Sequence, residues 1–203
     1  MNQKEEQSKK AYNKIANNYD NTFDGRFTRL FKDELISNVI LNQNDAVLDV
    51  ACGTGELLDR LYNKCPIQGV GVDISDEMIK VAKSQYNKFD FLISSCVPLP
   101  FDDKTFDVLT VSASFHHFPE PEKFAIEANR VLKQGGKIYI AEVYYPILIR
   151  QIVNAIFLPL YNSGDVKIYH PKELIEMFNK AGFSHISVVK KGKVQLMNAT
   201  KRV

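Results

Sequence analysis

Cysteine is scarce in this 203-residue sequence, which holds only Cys52, Cys65 and Cys96. No two of them follow a CxxC spacing, and three cysteines cannot all pair. The sequence therefore predicts neither a disulfide framework nor a zinc site, and no other metal site is expected. This cysteine usage fits a reducing compartment, so we expect a cytoplasmic protein.

An excess of charge of one sign is also missing. Lys and Arg number 26 and Asp and Glu number 24, which gives a formal net charge of +2. Such a balance creates no strong field for steering polyanions and makes a nucleic-acid partner a poor fit. A basic cluster near the C-terminus is better explained as a solvated hairpin; it consists of Lys190, Lys191, Lys193, Lys201 and Arg202.

Long hydrophobic runs are absent too. The most apolar stretch, residues 146–161, contains three strongly polar residues and is shorter than the ~20 residues that cross a bilayer. The N-terminal sequence MNQKEEQSKK lacks the apolar segment of a signal peptide. We expect no membrane span, and the 45% hydrophobic content predicts one compact domain over residues 1–203.

Short β-branched runs alternate with helical patterns along the chain, which is typical of a mostly parallel sheet covered on both faces. The sequence predicts a Rossmann-like, doubly wound α/β fold that ends in an antiparallel hairpin. Predicted strands cover residues 46–50, 68–73, 89–93, 107–112 and 137–142, and the hairpin covers 183–190 and 194–199. Two helices, at 3–18 and 26–41, precede the first strand, and we expect these N-terminal helices (residues 1–41) to cover the site.

Helix ends are readable at several places. Ser75 is a predicted N-cap, with two acidic residues in the first turn after it. Pro121 suits the first position of a helix predicted to run to residue 133, with Gly135 terminating it. Likewise, Pro171 opens a helix that Gly182 closes.

The segment VLDVACGTGELL, residues 47–58, places a buried strand before a glycine-containing turn and a helix. Gly53 and Gly55 allow the backbone to approach a ligand closely. Asp73 ends the next strand, 20 positions after Gly53, where a carboxylate can accept the hydroxyls of a ribose. Together these features indicate an adenosine-type ligand.

The third glycine of a dinucleotide-binding turn is missing, because Leu58 occupies its position. Glu56 follows the glycines directly and would place a carboxylate where phosphates bind a helix N-terminus. Both features favour a cationic ligand over a nicotinamide cofactor. A nucleotide-dependent oxidoreductase remains an alternative.

With these features in place, the chain resembles the class I S-adenosylmethionine (SAM)-dependent methyltransferases, in the group that includes the ubiquinone and menaquinone C-methyltransferases. The resemblance runs from about residue 12 to the C-terminal hairpin. Its motifs are YNKIANNYD (12–20), VLDVACGTG (47–55), GVDIS (71–75), LPFDDKTFDV (99–108), SASFHHF (112–118) and RVLKQGGKIYIAE (130–142). It implies SAM-dependent methyl transfer, with S-adenosylhomocysteine (SAH) as the product. A SAM-binding protein without catalysis, acting through partners, is the other alternative.

The resemblance also implies a set of cofactor-binding residues: Tyr19, Asp49, Ala51, Gly53, Gly55, Asp73, Ile74, Met78, Ser95, Cys96 and Ser112. Within it, Asp73 would hold the ribose, and Ile74 and Met78 would pack against adenine, although Met78 also suits a core position. Ser95 departs from the family, which has an acidic residue there to read the adenine edge. A hydroxyl can accept a hydrogen bond from the adenine amino group, but without charge assistance that bond is weaker.

The methyl acceptor is expected beside residues 112–118. His117 is a candidate general base, and His116 a candidate substrate contact, while packing or loop hydrogen bonding is the alternative for each. The sequence Ser-Ala-Ser-Phe at 112–115 is not the Asp/Asn-Pro-Pro-Tyr loop of adenine- and amide-directed N-methyltransferases. A small-molecule substrate is therefore favoured.

Residues 144–170 are longer than a strand-to-helix connection needs and carry an apolar helical face. We expect them to cover the substrate, with Tyr145, Phe157 and Tyr161 in contact with it; a core or dimer-forming helix is the alternative. Such a cover suits a small, largely apolar or aromatic acceptor. The acceptor atom stays open, as does the choice between monomer and homodimer.

Overall fold

A seven-stranded mixed sheet forms the centre of the molecule, which we describe from a computed structural model covering residues 2–160 and 163–203, without the side chain of Pro159. The strands are β1 (Ala46–Val50), β2 (Gln68–Asp73), β3 (Asp90–Ile93), β4 (Phe106–Ser112), β5 (Leu132–Val143), β6 (Phe183–Lys191) and β7 (Val194–Lys201). Their order across the sheet is β3-β2-β1-β4-β5-β7-β6. Strands β1 to β5 are parallel, and β7 is antiparallel to both β5 and β6. This architecture confirms the predicted Rossmann-like fold and its terminal hairpin.

Helices cover both faces of the sheet. They are α1 (Gln3–Ile15), α2 (Phe23–Asn38), α3 (Glu56–Lys64), α4 (Asp76–Gln85), α5 (Pro121–Val131), α6 (Ile147–Ile152), α7 (Leu158–Leu160) and α8 (Pro171–Lys180). A 3₁₀-helix (Ala16–Asn21) joins α1 to α2, and a π-helical turn (Val153–Phe157) joins α6 to α7. Two hydrophobic cores pack against the sheet. Successive side chains of β1 point to opposite faces, so Val47 packs into one core and Leu48 into the other.

The predicted strand bounds agree with the structure within a residue for β1 to β4, whereas β5 is longer than predicted. Helix α5 ends at Val131, two residues early, because the chain passes directly into β5, where Leu132 pairs with Phe106 of β4. Gly135, with φ of +74°, therefore lies within β5 and does not terminate the helix. Ser75 caps α4 as predicted, its hydroxyl accepting from the Met78 amide at 3.1 Å.

The strand order reverses beside β1. From β1 the chain proceeds to β2 and β3 on one side, and β4 and β5 lie on the other side. In open α/β sheets, ligands bind in the crevice at the carboxyl ends of the strands at such a point. No helix in the described ranges is both long enough and apolar enough to cross a bilayer.

Candidate functional site

Three residues of the turn after β1 have positive φ angles, a backbone conformation that glycine adopts more easily than other residues. Ala51, Gly53 and Gly55 have φ angles of +58°, +54° and +82°. A Cβ on Gly55 would lie 2.8 Å from Cζ of Phe91, whereas a Cβ on Gly53 would meet no atom within 4 Å. Gly55 therefore permits packing against β3, and Gly53 leaves open space above the turn.

Asp73 links this turn to the end of β2. Its Oδ2 accepts from the Gly53 amide at 2.9 Å, and its Oδ1 accepts from the Ser75 amide at 2.8 Å. Burial raises the pKa of this carboxyl, against the lowering effect of the backbone amides. Each carboxylate oxygen keeps a further lone pair for a ligand hydroxyl.

A cleft opens above the turn and Asp73, with an empty volume of about 890 Å³ that includes open solvent. Nine of the predicted site residues line it: Tyr19, Ala51, Gly53, Asp73, Ile74, Met78, Cys96, Ser112 and His117. The Ser112 hydroxyl is buried there and has no hydrogen-bond partner among the residues that the structure describes. Because buried polar atoms are normally paired, this orphaned oxygen indicates a polar ligand in the cleft.

Three of the predicted cofactor-binding residues, Asp49, Gly55 and Ser95, do not line the cleft, and neither does His116. Asp49 is buried beneath the turn, where the Thr110 hydroxyl donates to its Oδ1 at 2.7 Å. Burial raises the pKa of Asp49 to about 7. Gly55 serves packing, and Ser95 and His116 are engaged by other side chains described below.

Several cleft residues come from the N-terminal helices and were not predicted: Glu5, Ser8, Tyr12, Thr28 and Lys32. Lys32, on α2, forms an ion pair with Glu56 at 2.5 Å. The Glu56 carboxylate is therefore neutralised by a neighbour, which weakens the sequence argument that its charge repels phosphates. No sequence spacing marks these residues, because α1 and α2 reach the site only through tertiary packing.

His117 contacts Tyr12 on the wall of the cleft. The Tyr12 hydroxyl is 2.9 Å from Nε2 of His117. Nδ1 is buried 3.5 Å from Asp165 Oδ1 and has no hydrogen-bond partner within residues 2–160 and 163–203. Burial, followed by the charge of neighbouring His116, lowers the pKa of His117 to about 3. His117 is therefore neutral near pH 7 and weakly basic, which argues against a strong general base.

His116 is held behind the cleft. Its Nδ1 lies 2.9 Å from both oxygens of the fully buried Glu142, and its Nε2 lies 3.3 Å from Asp165. Burial alone would lower the pKa of His116, but the Glu142 charge and hydrogen bond, with Asp165, raise it. Ligand atoms of His116, His117 and Asp165 lie within 4.8 Å of one another, so these three side chains could hold a metal ion. The sequence predicted no metal site.

The predicted substrate contacts of residues 144–170 are dispersed. Tyr145 is partly buried against the core, and Phe157 is 50% exposed to solvent. Neither lines the cleft. Tyr161 lies outside the described residues.

Comparison with known proteins decides the family. The methyltransferase domain profile matches residues 48–140. A demethylmenaquinone methyltransferase of Bacillus cereus is 28% identical over 91% of this chain and 90% of its own length. The chain belongs to the class I SAM-dependent methyltransferases. Two solved structures of Haemonchus contortus phosphoethanolamine N-methyltransferase 2, which share the fold at 15% and 14% identity and TM-scores of 0.68 and 0.70, are complexes with SAH and SAM. For this chain, the methyltransferase profile and relatives make SAM the cofactor.

Two further matches extend this comparison. The uncharacterized protein MJ1252 of Methanocaldococcus jannaschii is 36% identical over 76% of this chain, which spans 60% of that protein's length. A Haloferax volcanii complex of the methyltransferase activator Trm112 with a protein described as a methyltransferase matches the fold, with a TM-score of 0.84. That match has 20% sequence identity and covers 97% of this methyltransferase and 98% of the matched chain.

The cleft of this methyltransferase fits SAM by its own chemistry. SAM carries ribose hydroxyls that donate, a carboxylate that needs a cation, and an ammonium group. Asp73 offers acceptor positions, Lys32 offers a cation, and the unpartnered Ser112 hydroxyl offers a further polar contact.

Proposed function

We propose that the protein transfers the methyl group of SAM to a small, largely apolar or aromatic acceptor. The observation that carries this proposal is the cover over the cleft, because α1 and the following 3₁₀-helix contribute Tyr12 and Tyr19 to its lining. A macromolecular acceptor would have to displace these elements, whereas a small molecule fits beside them. Bound SAM supplies a sulfonium methyl group that is already strongly electrophilic.

The cofactor is held along the carboxyl edge of the sheet in this proposal. Asp73 accepts from the ribose hydroxyls, while Ile74 and Met78 pack against the adenine ring. Lys32 pairs with the methionine carboxylate and shares its charge with Glu56. Ala51 and Gly53 present backbone next to the ligand because the turn adopts positive φ angles.

The acceptor lies at the other end of the cleft, beside Tyr12, His117 and Phe118. Aromatic walls with few charges suit an apolar ring and exclude water from it. The Tyr12 hydroxyl, fixed by His117, orients a polar group of the acceptor. Alignment, rather than a strong base, accelerates the transfer, because the pKa of His117 is about 3.

Residues 147–160, which comprise α6, the π-helical turn and α7, expose apolar side chains to solvent. Val153 and Leu158 pack against the core, whereas Leu148 is 71% exposed and Phe157 is 50% exposed. So much exposed apolar surface on one segment is typical of an interaction site. We place the entry of an apolar acceptor here, which retains the predicted substrate role of Phe157.

A transfer assay tests the proposal. The protein is incubated with radiolabelled SAM and a cell extract separated into apolar small molecules, polar small molecules, and macromolecules. We expect label in the apolar fraction, and a loss of at least ten-fold with Asp73→Asn, because the ribose loses a charged acceptor. Glu77→Gln, which changes a partly exposed carboxylate in the first turn of α4, is the matched control. Label confined to macromolecules, or no transfer to any fraction, would contradict the proposal.

A second candidate is a methyltransferase that works with a small protein activator on a macromolecule. The fold match to the Trm112 complex and the exposed apolar residues at 147–160 favour it. In that case the purified chain alone would give no transfer, and adding an activator of this type would produce label in the macromolecular fraction. Light scattering of the mixture would then show a one-to-one complex.

A further inference from the structure

A carboxylate from the N-terminal helix lies at one end of the cleft. The turn after β1, Asp73 after β2, and Cys96 after β3 follow one another along the carboxyl edge of the sheet. In the proposed function, adenine packs against Ile74 and Met78, which places it beyond Asp73 at the β3 end of this row. Glu5 of α1 lines the same cleft and is the carboxylate that contacts this end.

The contact is with the residue that departs from the family pattern. The Ser95 hydroxyl donates to Oε1 of Glu5 at 2.5 Å, and the Ser95 hydroxyl also accepts from the Val97 amide at 3.2 Å. Ser95 stands where an acidic residue is expected to read adenine. Glu5 therefore brings a carboxylate to the neighbourhood where the loop after β3 lacks one, although 90 positions separate the two residues in sequence.

Glu5 is held firmly in this position. Its Oε2 accepts from the Asn2 amide at 2.8 Å, while the Asn2 side chain accepts from the Glu5 amide at 3.0 Å, which completes a capping box. Helix α1 is itself fixed to the start of α4: Asn13 donates to Asp76 at 2.9 Å and accepts from the Ser75 hydroxyl at 2.6 Å. The helix that carries Met78 thus also positions Glu5.

We propose that Glu5 is the residue that recognises the 6-amino group of adenine in this methyltransferase. A carboxylate accepts hydrogen bonds but donates none, so it pairs with an amino group and opposes a carbonyl at the same position. One oxygen of Glu5 accepts from Ser95 and retains a lone pair that the amino group can use. The proposal rests on SAM occupying the cleft.

Calorimetric titration with two ligands tests it. SAH carries the 6-amino group, and S-inosylhomocysteine carries a 6-oxo group in its place. Wild-type protein should bind SAH at least ten-fold more tightly than the inosine analogue, which corresponds to one charge-assisted hydrogen bond. Glu5→Gln should lower SAH affinity about ten-fold and shift the preference toward the analogue, because a glutamine amide can donate to the 6-oxo group. Thermal unfolding of each variant verifies the fold.

Two further variants sharpen the test. Glu6→Gln removes the neighbouring exposed carboxylate, which pairs with Lys10 at 2.7 Å, and should leave both affinities unchanged. Ser95→Asp in the Glu5→Gln background returns a carboxylate to the site and should restore SAH affinity to within about three-fold of wild type.

The outcomes separate this proposal from the cofactor assignment. If Glu5→Gln keeps the wild-type preference, or loses both ligands equally, Glu5 does not read adenine and serves only to anchor α1. If wild-type protein binds neither ligand, the SAM site itself is wrong, and the role of Glu5 is overturned with it.

Discussion

Two aspartates at the carboxyl ends of neighbouring strands show how position determines the role of a residue. Asp73 reaches the cleft and binds two backbone amides, whereas Asp49 points beneath the turn and receives one hydrogen bond from Thr110. The family resemblance implied a cofactor-binding role for Asp49, and its place at a strand end predicted one for Asp73. Neither signal indicates which side of a loop a side chain occupies. Burial of Asp49 raises its pKa to about 7.

The pKa of Asp49 predicts a pH dependence of stability. Its folded-state pKa lies above the unfolded value of about 3.9, so its contribution is fully present below pH 4 and is lost as pH rises to about 7. Over that range the unfolding free energy of the wild-type protein should fall by on the order of 2–4 kcal/mol because of Asp49. Asp49→Asn should abolish this fall, because asparagine does not ionise. Urea denaturation at pH 4 to 8 measures this decrease. Asp90→Asn, an exposed carboxylate on β3, should keep the wild-type slope; an unchanged slope in Asp49→Asn would show that Asp49 is ionised throughout.

At the scale of elements, the turn between β1 and α3 separates a packing role from a ligand role. Both glycines adopt positive φ, but only Gly55 is crowded, by the Phe91 ring. Gly55→Ala should therefore destabilise the fold by about 2–4 kcal/mol through strain and overpacking. Gly53→Ala should cost about 1–2 kcal/mol and mainly weaken SAH binding, because its new methyl group enters the cleft.

Chemical denaturation combined with SAH titration distinguishes the two variants. Gly69→Ala is a control for crowding away from the cleft, since a Cβ there would lie 2.8 Å from Phe89. It should lower stability without a direct effect on SAH affinity. Equal stabilities for the Gly53 and Gly55 variants would contradict the assigned roles.

Residues 147–160, which comprise three short helical elements, have a role that depends on which acceptor the protein methylates. Phe157→Ala should lower turnover or change acceptor preference several-fold while SAH affinity stays within about two-fold, because the side chain does not line the cleft. Steady-state kinetics with each accepted substrate measures this effect. Val189→Ala, a similarly exposed apolar residue on β6, should change neither quantity. Parallel losses of SAH binding and stability would show that Phe157 is structural.

For the whole molecule, local patterns predicted the sheet and its helices, while long-range packing determined much of the site. The β-branched runs, the Ser75 cap and the turn after β1 are local signals, and each appears in the structure as predicted. The sequence also predicted that the N-terminal helices cover the site, but among their residues it named only Tyr19 as a contact. Glu5, Tyr12 and Lys32 enter the cleft from those helices, at sequence distances that no period or spacing encodes.

The partners of the basic C-terminal cluster are also long-range contacts that sequence spacing does not encode. Lys191 pairs with Glu34 at 2.8 Å, and Lys201 donates to two carbonyl oxygens near the end of α5. Lys190 lies over the ring of Tyr144. These contacts give three of the five basic side chains partners within the chain.

Cofactor choice is a property of the whole site, and it can be tested by thermal shift. Leu58 is fully buried in the position of the third glycine, with Gly69 of β2 close beside it, and Glu56 is in the first turn of α3. The start of α3 therefore lacks the features that accept a pyrophosphate, despite the Lys32 ion pair.

SAM or SAH at about 100 times its Kd should stabilise the fold by about 2.7 kcal/mol and raise Tm by roughly 5–10 °C. NAD(H) and NADP(H) at the same concentrations should leave Tm unchanged, and ATP is the control for adenosine recognition alone. Stabilisation by NADH without any by SAH would mean that the glycine turn, and not the charge and packing around α3, determines which ligand binds.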